Sequence, residues 1–97
     1  MAKGYWIAQM DVHDAAAYDH YRAANAKPFA DYGARFLVRG GDQTNVEGGW
    51  RSRTVVIEFP SYADARECYE SEAYQQAKSI RLPVSDADFL IIEGYDG

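Results

Sequence analysis

The chain has a single cysteine, Cys68, among 97 residues. No internal disulfide can form, so the fold must hold by packing, as is usual in a reducing cytoplasm. Histidine is nearly as scarce, with only His13 and His20. Neither belongs to a carboxylate cluster at metal-ligand spacing, so no metal is expected, nor any other cofactor. Positive charge is in deficit: ten Lys and Arg against fifteen Asp and Glu leave a net charge of -5. Nucleic acids and anionic membranes attract clustered cations, so neither is an expected partner. Long apolar runs are also missing, none approaching the roughly 20 residues that span a bilayer. At the N-terminus, Met1-Ala2-Lys3-Gly4 leads directly into a strand, without the charged, apolar and cleavage regions of a signal peptide. These absences make a soluble cytoplasmic protein the expectation.

What is present is a chain 47% hydrophobic, read as one domain over residues 1–97. Arg53 to Phe59 is its most strand-like run, β-branched at Thr54, Val55, Val56 and Ile57 and ended by Pro60, which has no N–H for a ladder. Gly4 to Asp11, Ala34 to Gly40 and Asp88 to Gly94 supply three more strands. Asp14 is expected to cap a helix whose Tyr18, Tyr21, Asn25, Phe29 and Tyr32 form one stripe. Pro28 bends or restarts that helix, and Gly33 ends it. Ser61 and Ser71 are expected to cap two further helical segments, with Ala65, Cys68, Tyr74 and Ala77 turned inward and Pro83 closing the second. The order βαββαβ predicts an α+β, ferredoxin-like fold: a four-stranded antiparallel sheet with two helices on one face. Across that sheet the strands should run fourth, first, third, second.

Parity sorts the strand residues into two faces. Trp6, Ala8, Met10, Phe36, Val38, Val55, Ile57, Phe59, Leu90 and Ile92 contain no polar member and are assigned beneath the helices. Tyr5, Ile7, Gln9, Arg35, Leu37, Arg39, Thr54, Val56, Glu58, Phe89, Ile91 and Glu93 fall on the other face. That second set is too apolar for water and too polar for a plain core. Each of its large apolar members contributes about 1.5 to 3 kcal/mol if buried, and a monomer would leave them as an unusually large patch. The sequence therefore predicts a homodimer packed sheet to sheet, a barrel-like closure with polar groups in the cleft between the sheets.

Gly4-Tyr5-Trp6-Ile7-Ala8, Phe36-Leu37-Val38-Arg39-Gly40-Gly41, Glu47-Gly48, Val56-Ile57-Glu58-Phe59-Pro60 and Ser71-Glu72-Ala73-Tyr74 together resemble the DUF1330 family (domain of unknown function). The match runs in order over nearly the whole chain. The resemblance implies a dimeric α+β barrel of ferredoxin-like protomers. Related barrels include cofactor-free monooxygenases, muconolactone isomerase-like enzymes and haem-binding chlorite dismutase-like enzymes. The family has no agreed reaction and so assigns no catalytic residue; Arg39 and Glu58 are the polar residues of its pattern found here.

Arg39 and Glu58 are placed on the mixed face, where an arginine anchor beside a carboxylate base suits proton abstraction from a bound acid or ketone. The alternative is an ion pair that fixes dimer register and does no chemistry. If Gly40 pairs with Arg53, Arg35 rather than Arg39 sits opposite Glu58. Gln9 and Tyr5 either orient a ligand or satisfy interface hydrogen bonds. Glu58 is thus the candidate catalytic residue, with Arg39, Glu58, Gln9, Tyr5 and Arg35 as candidate ligand-binding residues. Gly48, Gly49 and Trp50 form either a lid over the cleft or a hairpin tip against the partner. Cys68, with no neighbouring histidine, is read as inert packing, and both histidines as solvated. The sequence supports a homodimer binding a small organic ligand, of the cofactor-independent oxygenase or isomerase type, or else a non-catalytic metabolite-binding or assembly module.

Overall fold

The computed structural model describes residues 2–96; Met1 and Gly97, the ends of the expected domain, lie outside the described residues. In chain order the elements are β1 (Gly4–Val12), α1 (Ala15–Ala24), α2 (Ala26–Asp31), β2 (Arg35–Arg39), β3 (Arg53–Phe59), α3 (Tyr62–Glu70), α4 (Glu72–Arg81), a 3₁₀ turn (Leu82–Val84) and β4 (Ser85–Glu93). The sheet runs β2-β3-β1-β4 and is antiparallel at each junction. This is the α+β class and the strand order that the sequence predicts.

Local chemistry sets the helix ends. Asp14 Oδ1 accepts from the N–H of Ala17 at 3.0 Å, satisfying one of the free donors of the first turn. Ser61 Oγ accepts from the N–H of Asp64 at 3.0 Å and donates its own proton to the Asp64 carboxylate. Ser71 caps α4 through the N–H of Tyr74. The first helical region breaks at Asn25, and Pro28 falls in the first turn of α2, where its missing N–H costs little. Gly33, at φ +70°, turns the chain from α2 into β2.

The core lies between the helices and one face of the sheet. Trp6 is fully buried there, its indole N–H donating to the Ala65 carbonyl at 2.8 Å. Its ring stands 4.8 to 5.2 Å from those of Phe29, Phe59 and Tyr74. A Cβ on Gly4 would lie 2.4 Å from the Ser61 carbonyl oxygen, so only glycine lets the start of α3 rest on β1.

Two strands depart from the expected parity. In β4, Phe89 pairs with Ala8 and Ile91 with Trp6, so these two face the helices, while Leu90 and Ile92 are half exposed on the open face. The strand begins at Ser85, not Asp88, and alternation places Asp86 and Asp88 on the same side as Leu90 and Ile92. The opposite assignment would bury two unpaired carboxylates beneath the helices. In β2 the register shifts between Phe36 and Val38: Phe36 lies opposite Ile57, but Val38 lies opposite Val56 and Arg39 opposite Val55. An extra residue inverts every side chain beyond it. Val38 therefore joins the open face and Arg39 the helix face. Val38, Val56, Ile7 and Leu90 end up side by side in one apolar row across all four strands.

Candidate functional site

Three of the predicted ligand-binding residues meet on the open face. Tyr5 and Glu58 are cross-strand partners, and the Tyr5 hydroxyl donates to Glu58 Oε2 at 3.1 Å. Arg35 stands opposite Glu58 on β2, with its Nε 3.8 Å from Oε1, and Lys3 Nζ lies 3.7 Å from the same oxygen. Burial first, then the hydrogen bond and charge of Glu58, raise the pKa of the Tyr5 phenol above its ordinary value. Glu58 is thus a carboxylate already held by a phenol and two cations.

Gln9 belongs to a separate group about 13 Å further along β1, four residues on. Its Nε2 lies 3.4 Å from Thr54 Oγ1, which donates to Gln43 Oε1 at 2.6 Å. Gln43 also donates to the Arg51 carbonyl at 2.8 Å, and the Trp50 indole N–H donates to the Glu47 carbonyl. The β2–β3 connection is therefore tied to the open face, with the Trp50 side chain left exposed. At the same end, Arg51 bridges Asp88 at 2.8 Å and Asp11 at 3.1 Å. The Ser52 N–H and hydroxyl, aided by Arg51, hold the Asp11 carboxyl below its ordinary pKa.

Arg39 is not part of either group. It lies across the sheet from Glu58, so the expected Arg39–Glu58 pair on one face does not form, the β2 register shift being the cause. Its guanidinium instead lies 4.0 Å from the centroid of the Phe36 ring, at the rim of a pocket between α1, α2 and the sheet. Ala8 and Val55 form the pocket floor, and Tyr18, Tyr21, Phe29 and Phe36 supply aromatic walls. The pocket encloses about 350 Å³ with its mouth included, but the interior that a water centre can occupy is only about 20 Å³, close to one water. A broader depression of about 590 Å³, measured with its mouth included, adjoins it and shares Tyr18, Arg22 and Arg53.

Arg53 is the residue that the sequence reading passed over. It pairs with Met10, on the helix side of the sheet, and its Nε is buried without a hydrogen-bond partner. Gly40 makes room for it: φ is +71°, and a Cβ there would stand 2.2 Å from Arg53 Nη1. Arg22 completes the rim from α1. Burial of the Arg39 guanidinium, with Arg22 and Arg53 nearby, lowers the pKa of Arg39. Among the described residues no carboxylate lies within ion-pair distance of Arg39 or Arg53, and Arg22 has only the exposed Asp19 at 3.5 Å. Arg53 was legible in principle, since it extends the Val55, Ile57, Phe59 parity by one step.

Behind the pocket, a polar chain crosses the core. Buried Asn25 lies near the Tyr21 hydroxyl, which is 2.7 Å from that of Tyr74. Burial raises the pKa of both phenols. Arg81 lies beyond, buried, with its guanidinium 4.2 Å from the Phe89 ring centroid. Cys68 is a free, buried thiol whose pKa burial pushes up to about 12, so it is no nucleophile. His13 pairs with Asp86 at 3.0 Å at the surface, and His20 is exposed. Among the described residues no three His, Cys, Asp or Glu side chains gather as a metal site, and no helix is long and apolar enough to cross a membrane.

Known structures share this architecture. RPA0582, a protein of unknown function from Rhodopseudomonas palustris, superposes with a TM-score of 0.76 at 16% identity, over 99% of this chain and 85% of that one. SnoaB, a cofactor-independent oxygenase from Streptomyces nogalater, gives a TM-score of 0.65 at 11% identity, over 100% of this chain and 97% of its own. A dimeric ferredoxin-like protein of unknown function from Thermobifida fusca gives 0.62 at 16% identity, over 94% of this chain and 90% of its own. At these identities the likeness shows the fold. A comparison with curated proteins finds no match. The family model for the domain of unknown function DUF1330 matches residues 3–95, and the chain belongs to that family.

Proposed function

We propose that this protein is a homodimer that closes its open sheet faces against each other and binds a small organic ligand between the helices and the sheet of each protomer. The observation that carries the ligand half is the makeup of the pocket: aromatic walls with the Arg39 and Arg53 guanidinium groups at the rim, neither paired with a carboxylate among the described residues. Few precisely placed polar groups in an otherwise apolar concavity are the usual composition of a small-molecule site. Support for the dimer half comes from the apolar row Val38, Val56, Ile7 and Leu90, and from the dimeric state of the Thermobifida fusca protein. Glu58 then serves the interface as a register-setting charge, since it faces away from the pocket. The free, buried Cys68 fits a cytoplasmic location.

A catalytic reading, of cofactor-independent oxygenation, draws on the likeness to SnoaB. In it the pocket residues Tyr21 and Asn25, not Glu58, would meet the substrate.

Saturation-transfer NMR with a library of small aromatic compounds tests the placement. Compounds that bind the wild type should bind Glu58→Gln equally and should be lost in Ala8→Leu, which grows into the pocket floor. Loss in Glu58→Gln with retention in Ala8→Leu would put the site between the sheets instead.

A further inference from the structure

We infer that the pocket selects a small aromatic anion, its oxyanion held between Arg39 and Arg53 and its ring among Tyr18, Phe29 and Phe36. This rests on the small-ligand reading above and names the class of ligand.

Charge distribution is the first argument. The chain as a whole is acidic, at -5, yet the pocket and its mouth collect Arg22, Arg39 and Arg53 against Asp19 alone. A protein with more carboxylates than cations could readily have neutralised this cluster. Like charges brought together at a rim repel, and the arrangement is relieved when an anion enters.

Hydrogen bonding is the second. Arg53 Nε is a buried donor with nothing to donate to, a state that costs free energy until filled. An anionic oxygen at the pocket rim fills it with a charge-assisted bond, and a planar guanidinium can engage a carboxylate through two parallel bonds. Gly40 leaves the space that the Arg53 head group occupies, since a Cβ there would stand 2.2 Å from Arg53 Nη1.

The walls give the third. Phe36 already carries the Arg39 guanidinium on its face at 4.0 Å, and Tyr18 faces Arg53 at 6.0 Å. A flat ring entering from the mouth replaces or extends these stacks. A charged aliphatic ligand would satisfy the arginines but offer no ring to stack on these aromatic walls.

The test is a titration read at the arginine Nε–Hε resonances, using benzoate and 1-naphthoate as probes, each beside its neutral amide. The expected result is saturable movement of the Arg53 and Arg39 signals by at least one acid, with the matching amide binding at least tenfold more weakly. Arg53→Gln and Arg39→Gln should each weaken the acid at least tenfold, whereas Arg35→Gln, on the other face, should leave it unchanged. Circular dichroism of each variant confirms the fold, and Arg39→Lys, which keeps the charge at the exposed rim, should recover part of the affinity. Equal binding of acid and amide would overturn the anion inference while leaving the pocket as a ligand site. Absence of any shift at Arg53 and Arg39 up to millimolar acid would overturn both.

Discussion

A carboxylate's partners decide whether it is available as a base, and Glu58 has three: the Tyr5 hydroxyl, Arg35 and Lys3. Replacing it with glutamine removes charge but keeps an acceptor for Tyr5. Glu58→Gln should lower unfolding free energy by about 1 kcal/mol, measured by denaturant titration, with no change in ligand affinity. Asp11 offers a pH-dependent counterpart. Its folded pKa is held below the ordinary carboxylate value of 3.8 by Ser52 and Arg51, so its stabilisation is complete above that value and disappears as pH falls through the lowered one. The melting-temperature gap between wild type and Asp11→Asn should be widest near neutrality and close in acid below pH 3.8. Caps such as Asp14, Ser61 and Ser71 were legible because each acts within its own turn. The face of Arg53 was legible from the parity of Val55, Ile57 and Phe59, but its surroundings were not, because only the tertiary fold brings Gly40 and Tyr18 to it.

At the scale of the elements, β4 and β2 show what parity can and cannot carry. The helix face of β3 was readable from Val55, Ile57 and Phe59 alone. For β4, starting at Asp88 hid the pattern Asp86, Asp88, Leu90, Ile92, in which two carboxylates mark the solvent side and the apolar pair at the end marks something meant to be covered. In β2 the extra residue between Phe36 and Val38 leaves no mark in a sequence of five residues, and it alone moves Arg39 from the open face to the pocket. A partner sheet over the open face makes a direct prediction. Leu90→Asp should convert the dimer to a monomer in light scattering, with the circular dichroism spectrum retained, because Leu90 is half exposed in the protomer and needs no burial there. A dimer that survives this change would place the interface elsewhere.

As a whole the protomer is a slab measuring 38 × 35 × 17 Å, one layer of helices on one layer of sheet. Two layers bury only one sheet face, which is why the two faces can take separate work: the helix face encloses the arginine-rimmed pocket, and the open face is left for the proposed dimer. The family and the fold class were legible in the sequence because they rest on order and period. The proposed location of the site was not, since the placing of Arg39 turns on a single shift of register. A crystal structure of the full chain grown with a bound aromatic acid tests the division of labour most directly. The account predicts two protomers joined with Ile7, Val56, Leu90 and Ile92 between their sheets, and ligand density beneath α1 and α2 within hydrogen-bonding distance of Arg39 and Arg53. Ligand density between the sheets at Glu58, with the helix-side pocket closed, would contradict it.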